Sequence, residues 1–504
     1  MRVQNPIFKV DMPDPDVIRV GDTYYMVSTT MFFMPGGVVL KSRDLVHWEQ
    51  VSYIFDKIAD NDNYELRNGK HAYGKGQWAT SLICHEGIFY ACFVCHDIGK
   101  TFIYHTRNIE ESFWERYEID EVFHDMSFLF WEGKKYLIYG NGTIYIRELR
   151  DDLSGVREDG LNRILIETPK EGMWLCAEGC RAYTRNGYIY LSFIDIPSHE
   201  VGNGRRRQIC YRSKSLLGPY ERQIIMDDDA GLDGRGIAQG PFIEGKDGNW
   251  YAMLFQDRAS VGRIPYLMPM TWEKDWPLLG INHKVPLAFD MDWEEDTDPK
   301  EEFVSADSFC HTENKLGMNW QWNHNPMPEC WSFTKRPGYL HLEAGQLATG
   351  LMDARNTLTQ RTCEPGCSFT VELDATGMKN GDFAGLCAFM SQYGQIGLSK
   401  DENRYYIHYV RRDQKGHCHG KKIPYGKDKL KLRIDFDFEN FKDEAVLSYF
   451  EEEEEKWIPW GDPLLMHYTL DVFVGYRIGV FYYATKETGG CVDFRNFTFD
   501  KRTP

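Results

Sequence analysis

The strongest constraint on this chain is a phrase repeated five times between residues 14 and 251. Each copy has a small or acidic residue, a short apolar stretch, a glycine turn and an aromatic-rich strand. The copies begin at Asp14, Ala79, Asp125, Glu178 and Gln239, and their turn glycines (Gly21, Gly87, Gly133, Gly187, Gly248) follow 7 to 9 residues later. Successive copies start 46 to 65 residues apart. That period is too long for most solenoids and suits one four-stranded propeller blade. Polar turns echo between the copies, at Ser42-Arg43-Asp44-Leu45, Thr106-Arg107-Asn108-Ile109 and Ser213-Lys214-Ser215-Leu216. Such turns cap strand pairs at a blade rim. Unrelated strand–turn–strand units of a sandwich are the alternative.

The texture changes near residue 290. Residues 291–302 are acidic, poor in aliphatics and interrupted by Pro299, which reads as a linker. Strand-like runs then resume without the phrase, as in Ser368–Leu373, Tyr405–Val410 and Leu430–Phe436, the last with clear period-2 alternation. The expected fold class is all-β, with a five-bladed β-propeller over residues 1–290, the acidic linker, and a β-sandwich over residues 303–504. The run Glu451–Glu455 reads as a solvated hairpin tip.

Three of the five lead positions are acids: Asp14, Asp125 and Glu178. A structural need for an acid would apply to every blade, yet Ala79 and Gln239 fill the other two positions. Equivalent positions in successive blades converge on one axis, so three acids distant in sequence should meet. Asp125 and Glu178, on neighbouring blades, should repel and raise one pKa. Asp14 should face Glu178 across the channel mouth. One protonated acid and one carboxylate flanking a sugar and a water suit inverting glycoside hydrolysis, which needs roughly 6.5–9.5 Å between the carboxyls.

A net charge of −18 argues against a nucleic-acid partner, because a polyanion needs basic surface. No run of 18 apolar residues occurs, so no membrane span is expected. Thirteen cysteines without an apolar leader at residues 1–16 read as reduced thiols in a cytoplasm. The spacing Cys92-Phe93-Val94-Cys95-His96 matches haem attachment, but strand alternation would send its two cysteines to opposite faces. Cys363 and Cys367 lack the second ligand pair of a zinc site. Arg205-Arg206-Arg207 reads as a solvated loop tip, with a rim of the substrate site as the alternative.

Asn5-Pro6-Ile7, Pro13-Asp14-Pro15-Asp16, Trp78-Ala79, Asp125-Met126-Ser127-Phe128, Ala177-Glu178-Gly179 and Gly262-Arg263 together resemble glycoside hydrolase family 43. Gly317–Pro326 and Arg336–Leu340 resemble the concanavalin-type sandwich of its β-xylosidase branch. The resemblance implies Asp14 as general base, Glu178 as general acid and Asp125 as modulator of the acid. It also implies that Arg263 reaches the sugar's hydroxyls, with Trp78, Phe32 and Phe33 as pocket wall and platform and Gln239 in the substrate site. The implied substrates are pentose-containing oligosaccharides with terminal α-L-arabinofuranosyl or β-D-xylosyl units, which the sequence does not rank. An endo-acting arabinanase and a non-catalytic sugar-binding propeller are the alternatives. The resemblance implies no required cofactor. Calcium at the propeller axis stays open, because Gln239 stands where many members carry histidine, and Cys180-Arg181 replaces a common Pro-His. The sandwich is expected to pack on the propeller and lend its pocket a loop. Oligomeric state is not readable.

Overall fold

The computed structural model describes residues 1–504 apart from 233, 470–471 and 503–504. Five four-stranded antiparallel sheets, spanning residues 16–55, 81–119, 127–167, 173–226 and 242–279, form blades 1 to 5 in chain order. All five turn glycines lie at φ between 62° and 78°. In blades 2 to 4 the preceding Glu86, Glu132 and Asn186 also have positive φ. Two such residues in a row make the primed turn that matches the twist of the strands it joins. Inner strands touch between blades 1 and 2, 2 and 3, 3 and 4, and 5 and 1, and blades 4 and 5 meet through their outer strands, which closes the ring. Arg2–Gln4 pairs antiparallel with Ala288–Asp290, clasping the two ends of the ring.

Residues 291–302 run along the side of the propeller. Met291 and Trp293 are buried, and Trp293 stacks on Tyr24 at 5.8 Å. The Asp296 amide donates to the Asp44 carboxylate at 2.9 Å. The expected linker is thus anchored at its start, where Met291 and Trp293 are buried and Trp293 meets Tyr24 and Tyr251, while most of its other residues are exposed.

Two eight-stranded sheets form the sandwich. Alternation in Lys429–Asp437 buries Leu430, Leu432, Ile434 and Phe436, as the period-2 pattern requires. One sheet extends into the propeller: Phe33–Met34, from blade 1, pairs antiparallel with Gln321–Asn323 of the sandwich. A single apolar cluster runs from blades 1 and 2 through Phe32, Phe33 and Met34 to Trp320, Trp322 and Phe389. Burial across that seam holds the two domains as one body.

Glu452–Glu455 form the exposed turn between Glu444–Glu451 and Lys456–Pro459. All thirteen cysteines are free thiols, and Cys92 and Cys95 are both fully buried in blade 2. Among the described residues no helix is long and apolar enough to cross a membrane.

Candidate active site

Asp14, Asp125 and Gln239 have φ of 50°, 48° and 66°. Left-handed backbone is uncommon outside glycine, and its clustering at three equivalent blade positions marks strain held at a site. All three side chains are buried at the axis. Gln239 Nε2 donates to Asp14 Oδ1 at 3.2 Å. A Cβ on Gly179 would come within 2.9 Å of the Gln239 carboxamide, so the residue after Glu178 must be small. The Gly179 amide donates to Asp125 Oδ2 at 3.1 Å. Blades 1, 3, 4 and 5 thus meet through Asp14, Asp125, Glu178-Gly179 and Gln239.

Glu178 is half-buried. Its Oε2 accepts from Asn141 Nδ2 at 2.7 Å and lies 3.3 Å from His124 Nε2. His124 also stands 3.8 Å from Asp125 Oδ2. Burial pulls the His124 pKa down, but the Asp125 charge and the contact with Glu178 outweigh it and lift the imidazole to about 9. His124 Nε2 and Glu178 Oε2 share this contact, and whichever of the two holds the proton donates. His124 Nδ1 faces His96 Nε2 at 3.1 Å, and His96 is pushed down by burial and then by the His124 charge. Burial raises Asp125 to about 6; His124 opposes the rise, while the Glu178 and Asp14 charges add to it.

Atoms of His124, Asp125 and Glu178 lie within 4.8 Å of one another, close enough to hold a metal. The three are joined by contacts with one another, and Asn141 also engages Glu178, so the trio forms a hydrogen-bonded acid cluster. Calcium at the axis meets a similar obstacle. Arg181, fully buried, pairs with Asp16 at 3.1 Å and donates to the carbonyls of Pro15 and Thr80 at 3.3 and 3.1 Å. Oxygens that a hard cation needs are already bound to a guanidinium.

Arg263 Nη1 donates to Asp14 Oδ1 at 2.7 Å, and its Nε to Asp257 Oδ1 at 3.2 Å. Asp257 Oδ2 accepts from Arg206 Nη2 at 2.8 Å. Both guanidiniums lie 4.8 Å from the Phe255 ring, so one aromatic and one carboxylate fix the pair. Against the upward push of burial, the two arginines hold Asp257 below the ordinary carboxylate range. The arginine run is therefore not a solvated tip: Arg205 pairs with Asp227 and Asp229, Arg206 with Asp257, and Arg207 with Asp195.

Trp78 is half-buried beside His96, His124 and Phe473, at ring separations of 4.8, 5.7 and 5.3 Å. Phe473 belongs to the sandwich, so that domain does reach the site. Its loop is pinned where the Gly475 amide donates to Asp11 Oδ2 at 2.9 Å and the Tyr476 amide to the Ser260 carbonyl at 2.8 Å. Phe32 and Phe33, expected as pocket wall, are fully buried and have no face open to a sugar. Phe32 packs against Tyr73 and His324, and Phe33 lies under the Arg477 guanidinium at 3.7 Å. Their strand joins the sandwich sheet, and that pairing draws them into the domain seam.

Sequence reasoning missed His124, His96, Asn141, Asp257, Arg206's tie to Arg263, and Phe473. His124 adjoins Asp125, which was its only signal.

Residues 3–277 match the sequence profile of Glycosyl hydrolases family 43, and residues 307–500 match that of the Beta xylosidase C-terminal Concanavalin A-like domain. A putative beta-xylosidase of Xylanibacter ruminicola is 32% identical over 403 residues, covering 77% of this chain and 72% of that protein. A solved bifunctional GH43-CE structure from Bacteroides eggerthii is 39% identical with a TM-score of 0.92, over all of this chain and 64% of that one. This chain therefore spans less than two thirds of that neighbour. A GH43 enzyme engineered to display both endo-xylanase and exo-arabinofuranosidase activity is 27% identical with a TM-score of 0.87, over the whole of both chains. With both of its regions matched, the chain belongs to glycosyl hydrolase family 43 and carries the concanavalin A-like domain of the beta-xylosidases.

Proposed function

We propose that this glycoside hydrolase is an inverting exo-glycosidase that releases terminal α-L-arabinofuranosyl or β-D-xylosyl units from pentose-containing oligosaccharides. The observation that carries the reading is the convergence of Asp14, Asp125 and Glu178, from three blades, on one axis. Supporting it, the Gly179 amide next to Glu178 donates to Asp125, and the Gln239 carboxamide donates to Asp14.

In this reading Glu178 gives its proton to the glycosidic oxygen as the bond to the anomeric carbon breaks. A water attacks that carbon from the opposite face and gives its proton to Asp14. Asn141 and the His124 cation hold the Glu178 carboxylate left behind. Arg263 binds Asp14 and orients it as the base, while Asp257 and Arg206 fix Arg263. Asp125 fixes the Gly179 amide and so the acid's position. Trp78 and Phe473 form an aromatic wall from both domains, which suits a closed exo site over an open groove. No step requires a metal.

The test is release of nitrophenol from nitrophenyl α-L-arabinofuranoside and nitrophenyl β-D-xyloside by the native chain, Asp14→Ala and Glu178→Ala. The native chain should cleave at least one of them, and each substitution should lower kcat/KM roughly 10²–10⁴-fold. Activity surviving both substitutions would refute the assignment.

A further inference from the structure

Two arginines stand directly opposite each other on neighbouring antiparallel strands of the sandwich. Arg361, in Leu358–Arg361, is the register partner of Arg477, in Arg477–Ala484. Such partners have Cβ atoms roughly 4.5–5.5 Å apart, and like charges there repel. Neither side chain reaches water, with exposures of 1% and 2%. Both lie in the seam with the propeller. Arg361 Nε donates to the Asp11 carbonyl at 3.0 Å, and Arg477 Nη1 donates to Gln321 Oε1 at 2.9 Å while its guanidinium covers Phe33.

The described residues do not balance this pair. Among the described residues, neither Nη1 nor Nη2 of Arg361 has an acceptor. Asp11 is the carboxylate whose charge acts on both guanidiniums. Its oxygens are already engaged by the amides of Arg263 at 2.7 Å and Gly475 at 2.9 Å. Tyr53 also borders both arginines, but its hydroxyl donates to the Met318 carbonyl at 2.6 Å. Among the described residues, two guanidinium charges against one carboxylate leave one positive charge and the four Nη N–H groups of Arg361 uncompensated in the buried seam. Burial, and then the Arg361 charge, push Arg477 down to about 9. An unpaired buried charge is among the costliest features a fold can hold.

We propose that the seam binds a small monovalent anion, chloride in ordinary surroundings, between Arg361 and Arg477. One halide accepts several N–H groups at once and carries the single negative charge that the sum requires. A water molecule accepts only two hydrogen bonds and brings no charge. Asp11 pins both the Arg263 backbone and the Phe473-bearing loop, so an anion beside it would also steady the active-site wall.

Crystals equilibrated in sodium bromide test this by anomalous diffraction at the bromine edge. A peak within hydrogen-bond reach of Arg361 Nη1 and Nη2 is expected; water density there with no anomalous signal would overturn the proposal. In solution, replacing gluconate with chloride at equal ionic strength should raise the Tm by roughly 2–4 °C. Arg361→Met should abolish that difference. Should this variant not fold, the native chain still decides: the same Tm in both salts, with no bromide peak, rejects the site.

Discussion

Arg263 binds Asp14 through Nη1 at 2.7 Å and Asp257 through Nε at 3.2 Å, so one guanidinium spans two carboxylates. Arg206 grips the far oxygen of Asp257. The base proposed for catalysis therefore stands at the end of an alternating chain of charges: Asp14, Arg263, Asp257, Arg206. Each link fixes the orientation of the next, and alternation keeps the run from accumulating charge of one sign.

Asp257→Asn should weaken that chain without touching the reacting atoms. Losing about one charge-assisted hydrogen bond, ~1.5 kcal/mol, corresponds to a roughly tenfold fall in kcat/KM. The fall should lie mainly in kcat, because Arg263 would orient the base less firmly. Steady-state kinetics on either nitrophenyl glycoside check this; an unchanged kcat would remove Asp257 from the account.

His124 should make stability pH-dependent. Its folded pKa of about 9 lies above the ordinary 6.5. The native state thus keeps a proton that the unfolded chain loses, so its contribution is complete below about 6.5 and gone once pH has risen through about 9. The native Tm should fall across that window, and His124→Asn should flatten the curve. Asp125, raised by burial from 3.8 to about 6, adds a second decline between those values. Tm measured from pH 3.5 to 10 would show both.

Phe473→Ala, made in the domain that carries none of the three acids, should damage the site. Phe473 packs on Trp78 and lies 5.8 Å from the Arg263 guanidinium. Loss of that wall should raise KM roughly tenfold, the scale of a missing apolar pocket contact. Unchanged kinetics would make the sandwich a support only.

Arg181→Met should destabilise the propeller, because it leaves the Asp16 carboxylate buried with its charge unpaired. Breaking a buried pair in this way costs roughly 3–5 kcal/mol. Denaturant unfolding followed by tryptophan fluorescence checks the size; a loss below about 1 kcal/mol would mean that the axis does not depend on this guanidinium.

The blades were legible because their punctuation is local: a positive-φ glycine between two strands is visible in any single copy. The acids were legible because three blades have them and two do not. His124 was not, because it lies with Asp125 in the turn before Ser127–Trp131, where no periodicity fixes which way a side chain points. Asp257 and Arg263 are facing strand ends in blade 5, while Arg206 comes from the loop before Arg207–Ser213 in blade 4, and nothing in the sequence spacing brings that arginine to Asp257. Phe32 and Phe33 look like any exposed aromatic pair until Met34 pairs with Trp322 and closes the seam over them. Phe473 sits in a domain without a repeat, so no periodicity points to it.

The most direct test of the central claim is the configuration of the first sugar released, followed by proton NMR before the anomers equilibrate. Water activated by Asp14 on the face opposite Glu178 must give inversion: α-xylose from a β-xyloside, or β-arabinofuranose from an α-arabinofuranoside. Product appearing first with retained configuration would mean that the two carboxylates do not flank the sugar, and the account of this site would fail.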